Sequence, residues 1–273
     1  MAYLTFDSDG IAFHLAGLPV RYYGLAIVCT LWSGFYIWLR QARRIGINGD
    51  LALRWLPWGA LGVLIGARLG HCLLYEPMAY LRDPSEILRI WNGGASSHGA
   101  AAGLLLSSAF YARRYRLSIF EIFDQVALLM PTASFMRLGN FMNSEIVGKV
   151  TDVPWAVRFS RYADGGSYPR HPTQLYEFLV GVSVFLALVF IDRRLARLVR
   201  RPRGLLLAGL LLLYFVGRFV FEYTKKNEYS DLSSVLSMGQ IPSLPAIVAG
   251  VVIIVISLRG GLGYYKRNTE RLP

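Results

Sequence analysis

Seven stretches of this chain are apolar over 15 to 22 residues, and that pattern leaves few folds open. A helix that crosses the hydrocarbon core of a bilayer needs about 20 mostly apolar residues. The stretches lie at about 22–39, 54–75, 98–112, 119–136, 173–191, 204–223 and 241–258. Only 17% of the residues are charged against 54% hydrophobic, where a soluble domain carries about a quarter charged. The expected fold is therefore an all-α integral membrane protein of seven transmembrane helices, one polytopic domain over 1–273 without internal repeats. The first 20 residues lack a basic start followed by an apolar core, so the first span is expected to serve as the insertion signal.

Charge sets the expected orientation. Arg40, Arg43, Arg44 and Arg54, then Arg113, Arg114 and Arg116, then the six arginines between Arg193 and Arg203 crowd one set of short loops. Arg259, Lys266, Arg267 and Arg271 join them in a basic tail at about 259–273. Loops on the cytoplasmic side carry such an excess. The N-terminus is accordingly expected outside (periplasmic), the C-terminus in the cytoplasm, and a long polar segment at about 137–172 on the outer face. The formal net charge of +12 is explained by these loops facing anionic lipid, so no nucleic-acid partner is expected. Cys29 and Cys72 sit in apolar runs without metal-type spacing, and no metal site is expected.

Charges inside spans cost about 2.5–3.5 kcal/mol each at mid-bilayer, so they are paired or functional. Arg218 lies in "YFVGRFVFEY", where Tyr214, Arg218 and Glu222 recur every fourth residue and share one helix face. Either Arg218 and Glu222 neutralise each other, or the face is a site. Arg68, near the outer end of its span, either snorkels out or joins that site. His98 opens the third span between glycines; it is a polar cap or a proton acceptor. His71 reads as a packed core residue, and His14 as incidental. His171, in "PRHPTQLYE", lies between Pro169 and Pro172 just before the fifth span, placed to cap or orient that helix or to line an outer cavity. Gly59, Gly62, Gly66 and Gly70 recur at near-helical spacing, which lets helices approach closely in lipid. Tyr23, His98, Arg137, Asn140, Glu145 and His171 all fall at outer ends of spans. Two arginines and a histidine between apolar walls suit an anionic lipid headgroup, because guanidinium forks bind phosphate. A lipid-modifying enzyme fits better than a transporter, which would carry polar groups at the midplane of repeated halves.

"RLGNFMNSEIVG" at 137–148, with "PRHPTQLYE" downstream, resembles the signature region of the bacterial prolipoprotein diacylglyceryl transferase family. "RYYGL", "GARLGHCLLYEP", "GGASSHG", "EIFDQVALLMP", "GRFVFEY" and "LSMGQIPSLPAI" follow in that family's order, over about residues 20–250. The resemblance implies transfer of the diacylglyceryl group from phosphatidylglycerol to the lipobox cysteine thiol of a prolipoprotein. A thioether forms and glycerol phosphate leaves, with no cofactor. It implies a bacterial plasma (inner) membrane location with the active site toward the outer leaflet, and as partners phosphatidylglycerol, prolipoprotein signal peptides with a lipobox cysteine, and membrane lipids. His98 matches the family's essential histidine, a candidate base for the thiol. Arg137 and Arg218 match its two important arginines. Tyr23, Asn140, Glu145, Gly148, Tyr214 and Glu222 match its other functional positions, and Asp124 a polar position at the inner end of the fourth span. Gly148 is expected to mark a turn. The chain departs from the family pattern at Ala95, Ser97, Ala100 and Met136, and has Lys225 where the pattern has Arg. A divergent paralogue with another lipid donor or acceptor, and a non-catalytic lipid-binding or lipid-translocating protein of the same fold, are the alternatives.

Overall fold

A computed structural model describes residues 3–74, 76–89, 93–225 and 240–265. Nine α-helices occupy most of these residues: α1 (Tyr22–Arg44), α2 (Gly49–Leu74), α3 (Pro77–Arg82), α4 (Ser97–Arg114), α5 (Ile119–Leu129), α6 (Phe135–Met142), α7 (Thr173–Leu195), α8 (Leu205–Glu222) and α9 (Ser243–Leu258). Five segments are long and apolar enough to cross a membrane: Tyr22–Arg44, Gly49–Leu74, Ile119–Met142, Thr173–Leu195 and Leu205–Glu222. The chain is thus a mostly helical, multi-pass membrane protein. The other two expected spans are helical but fall short of that measure. α9 has only 16 residues, and α4 is diluted by Ala, Gly and Ser. The basic tail from Lys266 onward lies outside the described residues.

Two features depart from the expected all-α picture. The N-terminal segment forms strands: β1 (Leu4–Phe6), and a hairpin of β2 (Ile11–Leu15) with β3 (Leu18–Arg21). β1 pairs in parallel with β4 (Val157–Phe159) from the outer segment. Phe6, Phe141 and Phe159 meet beneath that pair, so a small apolar core holds the otherwise polar segment. The fourth span is also not one straight helix. Pro131 lies in a 3-10 turn, Met130–Ser134, between α5 and α6, as expected where the ring removes a backbone donor.

By its contacts the chain divides into two compact units. The first comprises Met1–Gly34, Pro131–Leu198 and Ala208–Ile256; the second comprises Phe35–Met130, Val199–Leu207 and Ser257–Pro273. The second unit is built on the glycines of α2. A Cβ at Gly62 would overlap the backbone of Gly103 and the Ser107 side chain; one at Gly66 would overlap Gly99 and Gly103; one at Gly70 would overlap Gly99. The expected close helix approach is therefore between α2 and α4. An aromatic cluster fills the rest: Trp38 stacks on Trp55 at 4.3 Å. Each polar tip there finds an acceptor, Trp38 Nε1 donating to the Ala52 carbonyl at 2.8 Å and Tyr111 Oη to the Leu51 carbonyl at 2.7 Å. Such tips need partners where water is absent.

Candidate active site

The signature stretch is helical where it begins. Arg137, Gly139 and Asn140 lie on α6, which ends at Asn143. The chain then turns through two left-handed residues that are not glycine, Ser144 (φ 56°) and Ile146 (φ 55°). Such residues cost about 1–3 kcal/mol each and persist where the surroundings over-determine them. Here they do. Glu145 N–H donates to the Asn140 carbonyl at 2.9 Å. Thr173 Oγ1, at the start of α7, donates to the Ile146 carbonyl at 2.9 Å, and Gln174 Nε2 donates to the Glu145 carbonyl. The Glu145 carboxylate accepts from Asn140 Nδ2 at 3.0 Å and from Asn143 Nδ2 at 3.2 Å. Tyr23 feels the charges of both Glu145 and Arg137, and its ring lies against Gly139.

Gly148 does not make the turn that was expected of it; that work falls to Ser144 and Ile146. Gly148 is instead a close backbone crossing. Its N–H donates to the His171 carbonyl at 2.9 Å, it bridges to Lys225, and a Cβ there would overlap His171 and Thr173. No side chain caps α7, whose N-cap is Pro172; the His171 ring lies toward Tyr176, with Nδ1 3.2 Å from the hydroxyl. Burial pulls its pKa below the ordinary 6.5, favouring the neutral imidazole.

The charges converge on a residue that the sequence did not single out. Glu177 sits one turn into α7 with its side chain about 10% exposed. Arg137 Nε lies 2.9 Å from its Oε2. Arg218 Nη1, from α8, lies 3.2 Å from Oε1, and Lys225 Nζ, just past α8, lies 2.7 Å from the same oxygen. Lys225 also reaches Glu222 at 3.2 Å. Of the two readings of this face, simple Arg218–Glu222 pairing is not the direct contact: Arg218 Nη1 pairs across helices with Glu177 and Glu222 with Lys225, while the Glu222 charge still acts on Arg218. Tyr214 lies within hydrogen-bonding reach of Arg218. Arg218 Nε is buried and has no hydrogen-bond partner among the described residues. Glu177, Tyr214 and Arg218 line a small cavity with Val180, Gly217 and Phe221. The last three also line an apolar groove that runs on between α7 and α8 past Leu179, Val184 and Leu213.

Arg68 and His98 belong to the other unit. Arg68 is buried rather than snorkelling. Its guanidinium donates to the carbonyls of Glu86, Ile87, Arg89, Gly93 and Gly94. Gly93 and Gly94 have φ near 85°, a conformation suited to glycine, so Arg68 gathers a loop whose backbone favours glycine. His98 is the second residue of α4, and it is not the cap: Ser96 is, accepting from Gly99 N–H at 3.1 Å. The glycine beside His98 serves the approach of α4 to α2.

Comparison with known proteins settles the family. The description "Prolipoprotein diacylglyceryl transferase" matches residues 10–256. This chain belongs to that family. It is 39% identical to the phosphatidylglycerol–prolipoprotein diacylglyceryl transferase of Methylobacillus flagellatus, covering 92% of this chain and 97% of the relative. It is 38% identical to the enzyme of that name from Vibrio cholerae, over 95% and 96% of the two chains. For the one from Chromohalobacter salexigens the identity is 37%, over 93% and 94%. The family match spans both units, so it takes in α6, α7 and α8 as well as α2 and α4. Within the family's quoted "PRHPTQLYE" stretch, Glu177 carried a signal that went unused: it is an acid buried in an apolar helix, and such an acid needs a partner.

Proposed function

We propose that this membrane protein transfers the diacylglyceryl group of phosphatidylglycerol to the lipobox cysteine thiol of prolipoproteins, and that Arg137 and Arg218 bind the phosphate of the donor. The observation that carries the phosphate assignment is the meeting of two guanidiniums and Lys225 Nζ around one buried carboxylate. Guanidinium donors aimed at a site of developing negative charge stabilise a leaving phosphate. The groove between α7 and α8 opens from the same cavity and has apolar walls suited to an acyl chain.

In the reaction the cysteine thiolate attacks the glycerol carbon that bears the phosphate ester. A carbon–sulfur bond forms, the carbon–oxygen bond breaks, and the electron pair leaves with glycerol phosphate. The thiol must lose its proton first, because the thiolate is the nucleophile. His98 is assigned that proton on the family resemblance. Asn140, Asn143 and Glu145 hold the turn after α6 in shape, and Tyr214 supports Arg218. Arg68 frames its loop, since each of its nitrogens already donates to a carbonyl. Seven spans, an outer N-terminus, a cytoplasmic tail and an active site facing the outer leaflet of the bacterial inner membrane complete the reading; the arginine-rich short loops support it.

The test is a reconstituted assay with phosphatidylglycerol and a lipobox peptide. Wild type should release glycerol phosphate and yield a diacylglyceryl peptide in equal amounts. His98→Gln should lower turnover by about 100-fold or more, the scale of a lost general base, while the protein stays folded. Lipid binding by folded wild type without release of glycerol phosphate would establish a non-catalytic lipid-binding protein instead.

A further inference from the structure

Among the described residues, the ion pairs around Glu177 join more cations than anions. Two guanidiniums offer five N–H groups each and an ammonium three, while each carboxylate accepts about four hydrogen bonds. Three cations, Arg137, Arg218 and Lys225, face two carboxylates, Glu177 and Glu222. The geometry leaves both donors and acceptors of the cluster imperfectly paired, Glu222 Oε2 among them. Arg218 Nε has no partner among the described residues, and Arg137 Nη1 reaches Asn140 Oδ1 only at 3.5 Å. Arg137 Nε approaches Glu177 Oε2 at 2.9 Å, yet that oxygen accepts no aligned hydrogen bond. A buried charged donor left unmatched is costly, so the cluster gains from a further anion. Glu177 meanwhile occupies the position between the arginines that an anion would favour.

We infer that Glu177 is a positioning residue, an exchangeable counter-ion that holds Arg137 and Arg218 in place until a phosphate group displaces it from them. Resting on the transferase reading, the inference concerns two ligands of one chemistry, the phosphodiester of the lipid donor and the glycerol phosphate product. On binding, the phosphate takes the arginine donors and Glu177 keeps Lys225, 2.7 Å away. When the product leaves, Glu177 returns to the arginines. Competition from its carboxylate therefore sets how tightly glycerol phosphate is retained.

Binding of glycerol phosphate to the purified full-length protein, followed by calorimetry, tests this without relying on turnover. Glu177→Gln removes the competing charge at nearly the same shape. Its Kd for glycerol phosphate should fall about tenfold, equivalent to about 1.4 kcal/mol. Glu177→Asp keeps the charge and should bind within about threefold of wild type, near 0.6 kcal/mol. In turnover, Glu177→Gln should lower KM and kcat together, because product leaves slowly; a merely structural role would not tighten binding. An unchanged or weaker Kd in folded Glu177→Gln overturns the inference. Should that variant prove unstable, its thermal midpoint serves instead: saturating glycerol phosphate should raise it by more than in wild type, and an equal or smaller rise overturns the inference. Failure of wild type to release glycerol phosphate from phosphatidylglycerol would instead sink the transferase reading.

Discussion

Asp124 shows how a single buried charge is made tolerable. It is 1% exposed in α5, yet its carboxylate accepts from the backbone N–H groups of Gly204, Leu206 and Leu207 at 2.8–3.0 Å and from Tyr265 Oη at 3.0 Å. The first N–H groups of a helix have no partner within it, and its N-terminus carries partial positive charge. Asp124 therefore caps α8 from a residue far away in sequence. Asp124→Ala leaves those donors buried without an acceptor and should cost about 1–3 kcal/mol. Tyr265→Phe removes one bond of the set, and the one its hydroxyl accepts from Gln125 Nε2, but leaves the three backbone donors paired, and should cost about 1 kcal/mol. Thermal unfolding of the purified variants measures both, and a drop for Tyr265→Phe as large as for Asp124→Ala would contradict this assignment. That Asp124 needed partners was legible in the sequence, because acids in apolar helices do. Its partners were not, since Gly204 and Tyr265 become its neighbours only through tertiary folding. The partners of Glu177 were out of reach for the same reason: Arg218 has an acid four residues along its own helix, and local spacing cannot show the second acid that α7 brings to it.

At the scale of elements, periodicity carried far. All seven expected spans are helical, the fourth interrupted by the 3-10 turn at Pro131, because apolar runs of that length leave few other regular structures that satisfy the backbone in lipid. The glycine spacing of α2 signalled close packing, and the fold supplies the partner helix that spacing alone cannot name. The strands β1 and β4 were missed because they are three residues each and paired across most of the chain. Gly103 offers a sharp test of the α2–α4 seam. A Cβ there would overlap the Gly62 carbonyl and crowd Gly66 Cα. Gly103→Ala should therefore destabilise by about 1–3 kcal/mol, the usual cost of overpacking, despite alanine's better helix propensity. Gly24 in α1 is the matched control: no atom lies within 4 Å of its would-be Cβ. Gly24→Ala should leave stability unchanged or raise it by up to about 1 kcal/mol. Equal thermal midpoints for the two variants would show that the seam does not hold α2 against α4.

For the whole molecule, α9 and α4 decide how many times the chain crosses. α9 rises only about 24 Å at 1.5 Å per residue, short of a hydrocarbon core of about 30 Å. Its attachments nevertheless argue that it runs alongside α8. Gln240, just before α9, donates to the Phe219 carbonyl near the end of α8 at 3.4 Å. Ser257, in its last turn, donates to the Arg203 carbonyl just before α8 begins at 2.6 Å. A helix tied antiparallel to a spanning helix near both ends is expected to cross with it. α4 is weakly apolar because its glycines face α2 rather than lipid, and small residues at a helix seam need not be hydrophobic. Both helices should therefore span, giving an odd number of crossings and termini on opposite sides. Single cysteines in a background with Cys29 and Cys72 replaced would decide it. Ser167→Cys, exposed in the long segment before α7, should react with a membrane-impermeant maleimide on intact cells. Arg200→Cys, in the basic loop before α8, should react only after the membrane is opened. A cysteine introduced at Arg114, after α4, should behave like the one at Arg200. Labelling of the Arg114 position from outside would mean that α4 does not cross, and labelling of the Arg200 position from outside would invert the orientation that the arginines dictate.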